Sequence, residues 1–140
     1  MSDNPYHLER FVAAQAPVWD EVVTELRRGA KNSHWMWFIF PQIKGLGHSY
    51  TAQQYAISAR AEAEAYLRHP VLGPRLREAT QLVLNVEGRS LHQIFGSPDD
   101  LKFCSSMTLF AHATADNQLF LDALKKYCGG RFDPFTLQRL

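Results

Sequence analysis

The sequence has only two cysteines, Cys104 and Cys128, and they form no CxxC pair. So few thiols, set so far apart, predict neither a disulfide framework nor a cysteine-based zinc site. The six histidines, at 7, 34, 48, 69, 92 and 112, make no HxxxH or HExxH pattern, so no metal site is expected. The longest apolar run, Trp35 to Pro41, falls far short of the ~20 residues that a membrane-spanning helix needs. The N-terminus, Met1-Ser2-Asp3-Asn4-Pro5, lacks the charged-then-apolar order of a secretory signal. These absences predict a cytoplasmic protein with no membrane partner. Neither charge is in surplus: a net +1 over 140 residues is no footprint of general nucleic-acid binding. There is no phosphate-binding glycine loop, nucleophile elbow or paired-carboxylate motif, and nothing that calls for a cofactor.

What is present fits one domain spanning residues 1–140, long enough to bury a core without metal or disulfide. Apolar spacing and helix punctuation predict an all-α fold, a compact bundle of about six to eight short helices. Val18, Val22 and Leu26 recur every fourth residue before Gly29, a residue that readily ends a helix. Ser97-Pro98-Asp99-Asp100 reads as a helix start with cap, proline and acids. Ser90 to Phe95, stopped by Gly96, is a turn or two of helix. Gly129-Gly130 stops another helix, and Asp133-Pro134 opens a last turn. Residues 31–49 lack a period and are expected to be non-helical, an aromatic stretch followed by a Gly-rich loop. In an extended chain Trp35 and Trp37 would share one side.

Charge is unevenly spread. Residues 1–26 carry one Arg against five acids, whereas residues 27–89 carry nine Lys or Arg against four acids. The aromatic stretch lies in the positive part, which makes it a place to look for an anion site.

The runs Lys31-Asn32-Ser33-His34-Trp35-Met36-Trp37, Pro41-Gln42-Ile43-Lys44-Gly45-Leu46-Gly47, His69-Pro70-Val71-Leu72-Gly73-Pro74-Arg75-Leu76, Ile94-Phe95-Gly96-Ser97-Pro98-Asp99 and Ser105-Ser106-Met107-Thr108-Leu109-Phe110 carry a resemblance. They resemble a bacterial family, domain of unknown function 1810, from about Leu8 to Leu137. The resemblance implies a small helical protein and no particular reaction. Some members bear the label calpastatin, yet nothing here looks like a disordered calpain inhibitor. The order Trp37, Pro41, Gly45, Ser49, Tyr55 is also similar to that of N-glycosidases acting on NAD- and ADP-ribose-type nucleotides. Those enzymes place a glutamate two residues before the tyrosine. Here Gln53 stands there and cannot serve as a general base.

The residues themselves suggest a site for a small anionic, nucleotide-like ligand. Trp35 or Trp37 would stack on a planar ring. Lys31, Arg75 or Lys102 would hold the anion. Gln42 and Ser49 bound the glycine loop, and Tyr55 follows it in the N-glycosidase-like order. Ser105 and Ser106 lie close to Lys102 on a hydroxyl-rich helix. If the protein is an enzyme, ribosyl or phosphoryl chemistry is expected, with His34 or His48 carrying the proton. Convergence of His34, Lys102 and Arg75 on one pocket would mark the site. The alternative is a non-catalytic protein–protein interaction module that uses the aromatic segment 34–40. Cys104 reads as a core residue beside Leu101 and Phe103.

Overall fold

A computed structural model describes residues 5–140. It is all-α: ten helices and no strand occur among the described residues. In order they are α1 (Glu9–Gln15), α2 (Trp19–Arg28), α3 (Met36–Ile39), α4 (Tyr50–Gln54), α5 (Arg60–Arg68), α6 (Leu72–Leu84), α7 (Leu91–Phe95), α8 (Asp99–Ala111), α9 (Gln118–Tyr127) and α10 (Pro134–Leu137). The single turns α3 and α10, of four residues each, take the number past six to eight. The longest helices, α6 and α8, have 13 residues each.

Helix α8 is the axis of the bundle. It packs against α5, α7, α9 and α10, and its Phe103, Met107 and Phe110 are fully buried. Around Phe103 stands an aromatic cluster: Phe40 meets it edge-on at 5.0 Å, Phe95 stacks on it at 5.3 Å, and Trp35 meets Phe95 edge-on at 6.4 Å. Such tilted and edge-to-face pairs suit the charge distribution of aromatic rings. A second cluster forms where Tyr66 packs between Phe11 and Phe110. The Tyr66 hydroxyl accepts a hydrogen bond from Gln15 Nε2 at 3.0 Å, and complete burial pushes its pKa up.

Local signals set several of the helix ends. Gly29 closes α2 at φ 72°, in the left-handed region. Ser90 caps α7 in a reciprocal box with Gln93. Asp133 caps α10 by accepting from the Thr136 N–H at 3.1 Å. Helix α8 departs from its expected start: it begins at Asp99, follows a cis Ser97–Pro98 bond and has no side-chain cap. The acids Asp99 and Asp100 still occupy its first turn. Between α5 and α6, His69 Nδ1 accepts from the backbone N–H groups of Val71 and Leu72 at 3.1 and 3.3 Å. It therefore secures the entry to α6.

Gly73, in the first turn of α6, lies directly against the Leu67 carbonyl, which a Cβ at this position would strike. The obstacle is backbone, so it cannot swing aside. Gly73→Ala should therefore cost about 1–3 kcal/mol, as overpacking does. Urea unfolding of the two proteins measures this, and an unchanged midpoint would refute it.

Two expectations are corrected here. Residues 31–49 are not wholly irregular, because Met36–Ile39 makes a helical turn. Trp35 precedes this turn and is buried in the core, whereas Trp37 is half-buried, so the two do not share an exposed side. Cys104 and Cys128 are also paired, with Cα atoms 6.0 Å apart across 24 positions. The packing of α8 on α9 brings them together, and no local spacing reveals that.

Candidate functional site

One large cleft, about 1150 Å³, opens beside the first half of α8. Its walls are the loop 45–49, the start of α7, the end of α9 and the segment 131–139. The loop is pinned to the body by Ile43 and Ile57, which form an isolated parallel bridge. The Ile57 N–H donates to the Gln42 carbonyl, and the Lys44 N–H donates to the Ile57 carbonyl, each at 2.8 Å. Gly45, at φ 102°, lies under Arg139: a Cβ there would come within 2.6 Å of Arg139 Nε. The C-terminal segment thus crosses the cleft and rests on the glycine loop.

Of the residues expected at the site, Trp37, Gln42, His48, Ser49, Lys102 and Ser105 line this cleft. Trp37 is half-buried and carries the Lys102 ammonium 5.0 Å from its ring centroid. Such a contact combines an aromatic surface with a cation. Ser49 is engaged as the N-cap of α4, accepting from the Ala52 N–H at 3.1 Å. Gln53 Nε2 donates to the His48 carbonyl at 2.9 Å, so it holds the loop. The Ser105 hydroxyl lies 3.0 Å from Asp133 Oδ2 and 3.2 Å from the Leu101 carbonyl.

The remaining expected residues lie outside the lining of this cleft. Trp35 is 1% exposed, and its Nε1–H donates to Glu25 Oε1 at 3.0 Å. It is a core residue and no stacking platform. Lys31 sits 5.2 Å over the Trp35 ring and pairs with Asp99 at 2.9 Å. The same carboxylate pairs with Lys102 at 3.5 Å, so two cations share one acid and a net charge of about +1 remains, and only Lys102 reaches the cleft. Arg75 packs over Trp19 at 5.4 Å and approaches Gln15 Oε1 at 3.5 Å. These neutral groups take the place of the anion expected beside it. Tyr55 packs on Phe38 at 5.3 Å. Ser106 is fully buried, and its hydroxyl has no partner among the described residues. His34 is exposed. Of His34, Lys102 and Arg75, only Lys102 lines the cleft.

The cleft also contains residues that the sequence did not single out. Leu46, Leu101, Phe132 and Phe135 give it apolar walls, and Arg131 and Arg139 add positive charge. The Cys104–Cys128 disulfide forms part of the surface. The signal that was readable is the Gly129-Gly130 pair: both glycines are left-handed, at φ 67° and 69°, and turn the chain back across α8. Two phenylalanines so soon after such a turn, in a polar tail, were the available hint. Asp100 lies 3.3 Å from His92, and Asp133 is taken up by Ser105 and Thr136. The lining thus sets Lys102, Arg131 and Arg139 against Asp100 and Asp133; Lys102 is paired with Asp99, and Arg131 and Arg139 are the lining cations with no carboxylate partner among the described residues.

Among the described residues, no group of three or more His, Cys, Asp or Glu is placed to hold a metal ion. None of their helices is long and apolar enough to cross a membrane. Comparison with known proteins finds a close likeness in a solved structure. The conserved hypothetical protein Rv1873 from Mycobacterium tuberculosis is 59% identical, with a TM-score of 0.97 over 98% of each chain. No curated protein matches the chain at a significant level. The family described as "Protein of unknown function (DUF1810)" matches over residues 5–140, and the chain belongs to that family.

Proposed function

We propose that the cleft beside α8 binds a small anionic ligand with a planar ring, of the nucleotide or ADP-ribose type. The observation that carries this reading is the Trp37–Lys102 pair on the cleft wall, with the ammonium 5.0 Å from the ring centroid. The ammonium lies over one face of the Trp37 ring, so a phosphate would meet the cation there and a base would stack by displacing it or on the ring's other face, stacking and charge lying within a few ångströms of each other. Arg131 and Arg139 extend the positive surface along the same concavity. If the site is catalytic, His48 carries the proton, since of the two histidines expected for that role it alone lines the cleft. The interaction module built on residues 34–40 loses its basis as an exposed patch: Trp35, Met36, Ile39 and Phe40 are all buried.

Thermal shift with AMP, ADP-ribose and NAD at millimolar concentration tests the proposal. A ligand at a hundred times its Kd stabilises by about 2.7 kcal/mol, an easily read shift. Trp37→Ala and Lys102→Gln should each remove most of it. A protein that none of the three ligands stabilises, or a shift that survives both substitutions, would sink the assignment.

A further inference from the structure

The volume and the apolar rim of the cleft say more about its ligand. About 1150 Å³ exceeds the roughly 300–1,000 Å³ typical of pockets that enclose a drug-sized molecule. The walls are also divided. Lys102 and Cys104 are two residues apart on α8, hence about 200° apart around it. Lys102 faces Trp37 and the Gly-rich loop, whereas Cys104 faces Cys128. The second flank, with Leu91, Tyr127 and Phe132, offers a mostly apolar surface with Arg131 at its edge. Leu101 lies on the helix face between the two flanks and is 67% exposed. Exposed large hydrophobic residues concentrate here: besides Leu101, Phe132 and Phe135 line the cleft, at 40% and 61% exposure. A mononucleotide needs only the Trp37–Lys102 flank and would leave this surface in water. Phe132 meets the His112 ring edge-on at 4.6 Å, towards the far end of α8 from Leu101, and exposed apolar side chains gathered along one cleft mark a binding surface.

We infer that the ligand is an amphipathic anion, a nucleotide bearing an aliphatic arm. Its ring and phosphate occupy the Trp37–Lys102 flank. Its arm crosses Leu101 and lies against Phe132 and the Cys104–Cys128 disulfide. The positive charge selects the anionic end, and the apolar flank selects the chain. This assignment rests on the nucleotide reading above and adds to it the class of substituent.

Calorimetric titration with AMP and its butyl, hexyl and octyl phosphate esters separates the two claims. Each buried methylene should strengthen binding roughly fourfold, until the flank is filled. In a Leu101→Ser, Phe132→Ser double variant the gain per methylene should fall towards none. Both side chains are substantially exposed, so the variant keeps its core. If AMP binds and the esters bind no better, the arm assignment falls and the nucleotide site stands. If the gain persists undiminished in the double variant, the arm lies elsewhere and the assignment is overturned. If neither AMP nor any ester binds, both readings fall. An acidic peptide that binds and displaces the octyl ester tenfold more tightly than AMP does would replace the small-molecule ligand with a protein partner.

Discussion

Removing the Cys104–Cys128 disulfide should lower the stability of the protein by about 3–4 kcal/mol. The bond closes a loop of 24 positions that contains more than half of α8, the connection to α9 and all of α9. Cross-linking a loop of this length restricts the unfolded chain, and the loss on cutting it follows from that restored freedom. The folded state should change little. Phe103, Phe110, Phe120 and Leu124 remain buried between the two helices without help from the sulfurs. For a chain of this size the melting temperature should fall by roughly 10 °C. Thermal unfolding with and without dithiothreitol, and of a Cys104→Ser, Cys128→Ser double variant, gives the measurement. A loss under about 1 kcal/mol in both would mean that the pairing contributes almost nothing. The bond also corrects an inference from composition. Two lone cysteines predicted no disulfide framework, and Cys104 read as a core residue, yet the fold brings the two into bonding distance.

Cys104 and Cys128 show where the sequence stops being legible. Signals that act within a few residues came through: Gly29 after α2, Ser90 before α7 and Asp133 before α10 all stand where their chemistry predicts. The aromatic stretch did not, because six large apolar residues in a row hide any period. Whether Trp35 and Trp37 share a side depends on helix or strand, and tertiary packing decided for a helical turn. The candidate site was legible to the same degree. Lys102 and the Gly-rich loop were expected near each other, and both line the cleft. Arg139 on Gly45 joins parts of the chain that no local pattern connects. Arg75 was misread for a simple reason: an Arg near a helix start suggested an anion, and Trp19 met that need with its ring.

The largest single-residue effect is expected at Glu25, which sequence reading passed over because it sits among ordinary acids on α2. Its side chain is 3% exposed. Oε1 accepts from the backbone N–H of Asn32 at 2.7 Å, from that of Ser33 at 3.1 Å and from Trp35 Nε1 at 3.0 Å. Oε2 accepts from the Ser33 hydroxyl at 2.6 Å. Burial raises the pKa of this carboxyl, but the four hydrogen bonds outweigh burial and hold it at about 2, against a usual 4.5. Glu25→Ala would leave the three N–H donors without an acceptor, the Ser33 hydroxyl keeping Glu21 as its partner, and should cost about 3–5 kcal/mol, as breaking a buried charged cluster does. Glu25→Gln keeps an oxygen for the three N–H groups but loses the charge, so at neutral pH it should cost about 3 kcal/mol, the stabilisation that the depressed pKa represents. The sign of the pH dependence follows from the depressed pKa. The unfolded chain takes up its proton first, so the full contribution of about 3 kcal/mol is present above pH 4.5 and is lost as pH falls towards 2. Acid titration of stability should therefore be steeper in the wild type than in Glu25→Gln across that window. Equal slopes would show that the charge on Glu25 does not stabilise the fold. The consequence reaches the cleft, because Glu25 anchors the turn that sets both Trp35 and Lys31. Lys31 shares Asp99 with Lys102. Once the turn is loosened, Asp99 is free to pair with Lys102 alone, drawing that ammonium away from Trp37. Glu25→Ala, which removes the acceptor, should accordingly weaken nucleotide binding as well as stability.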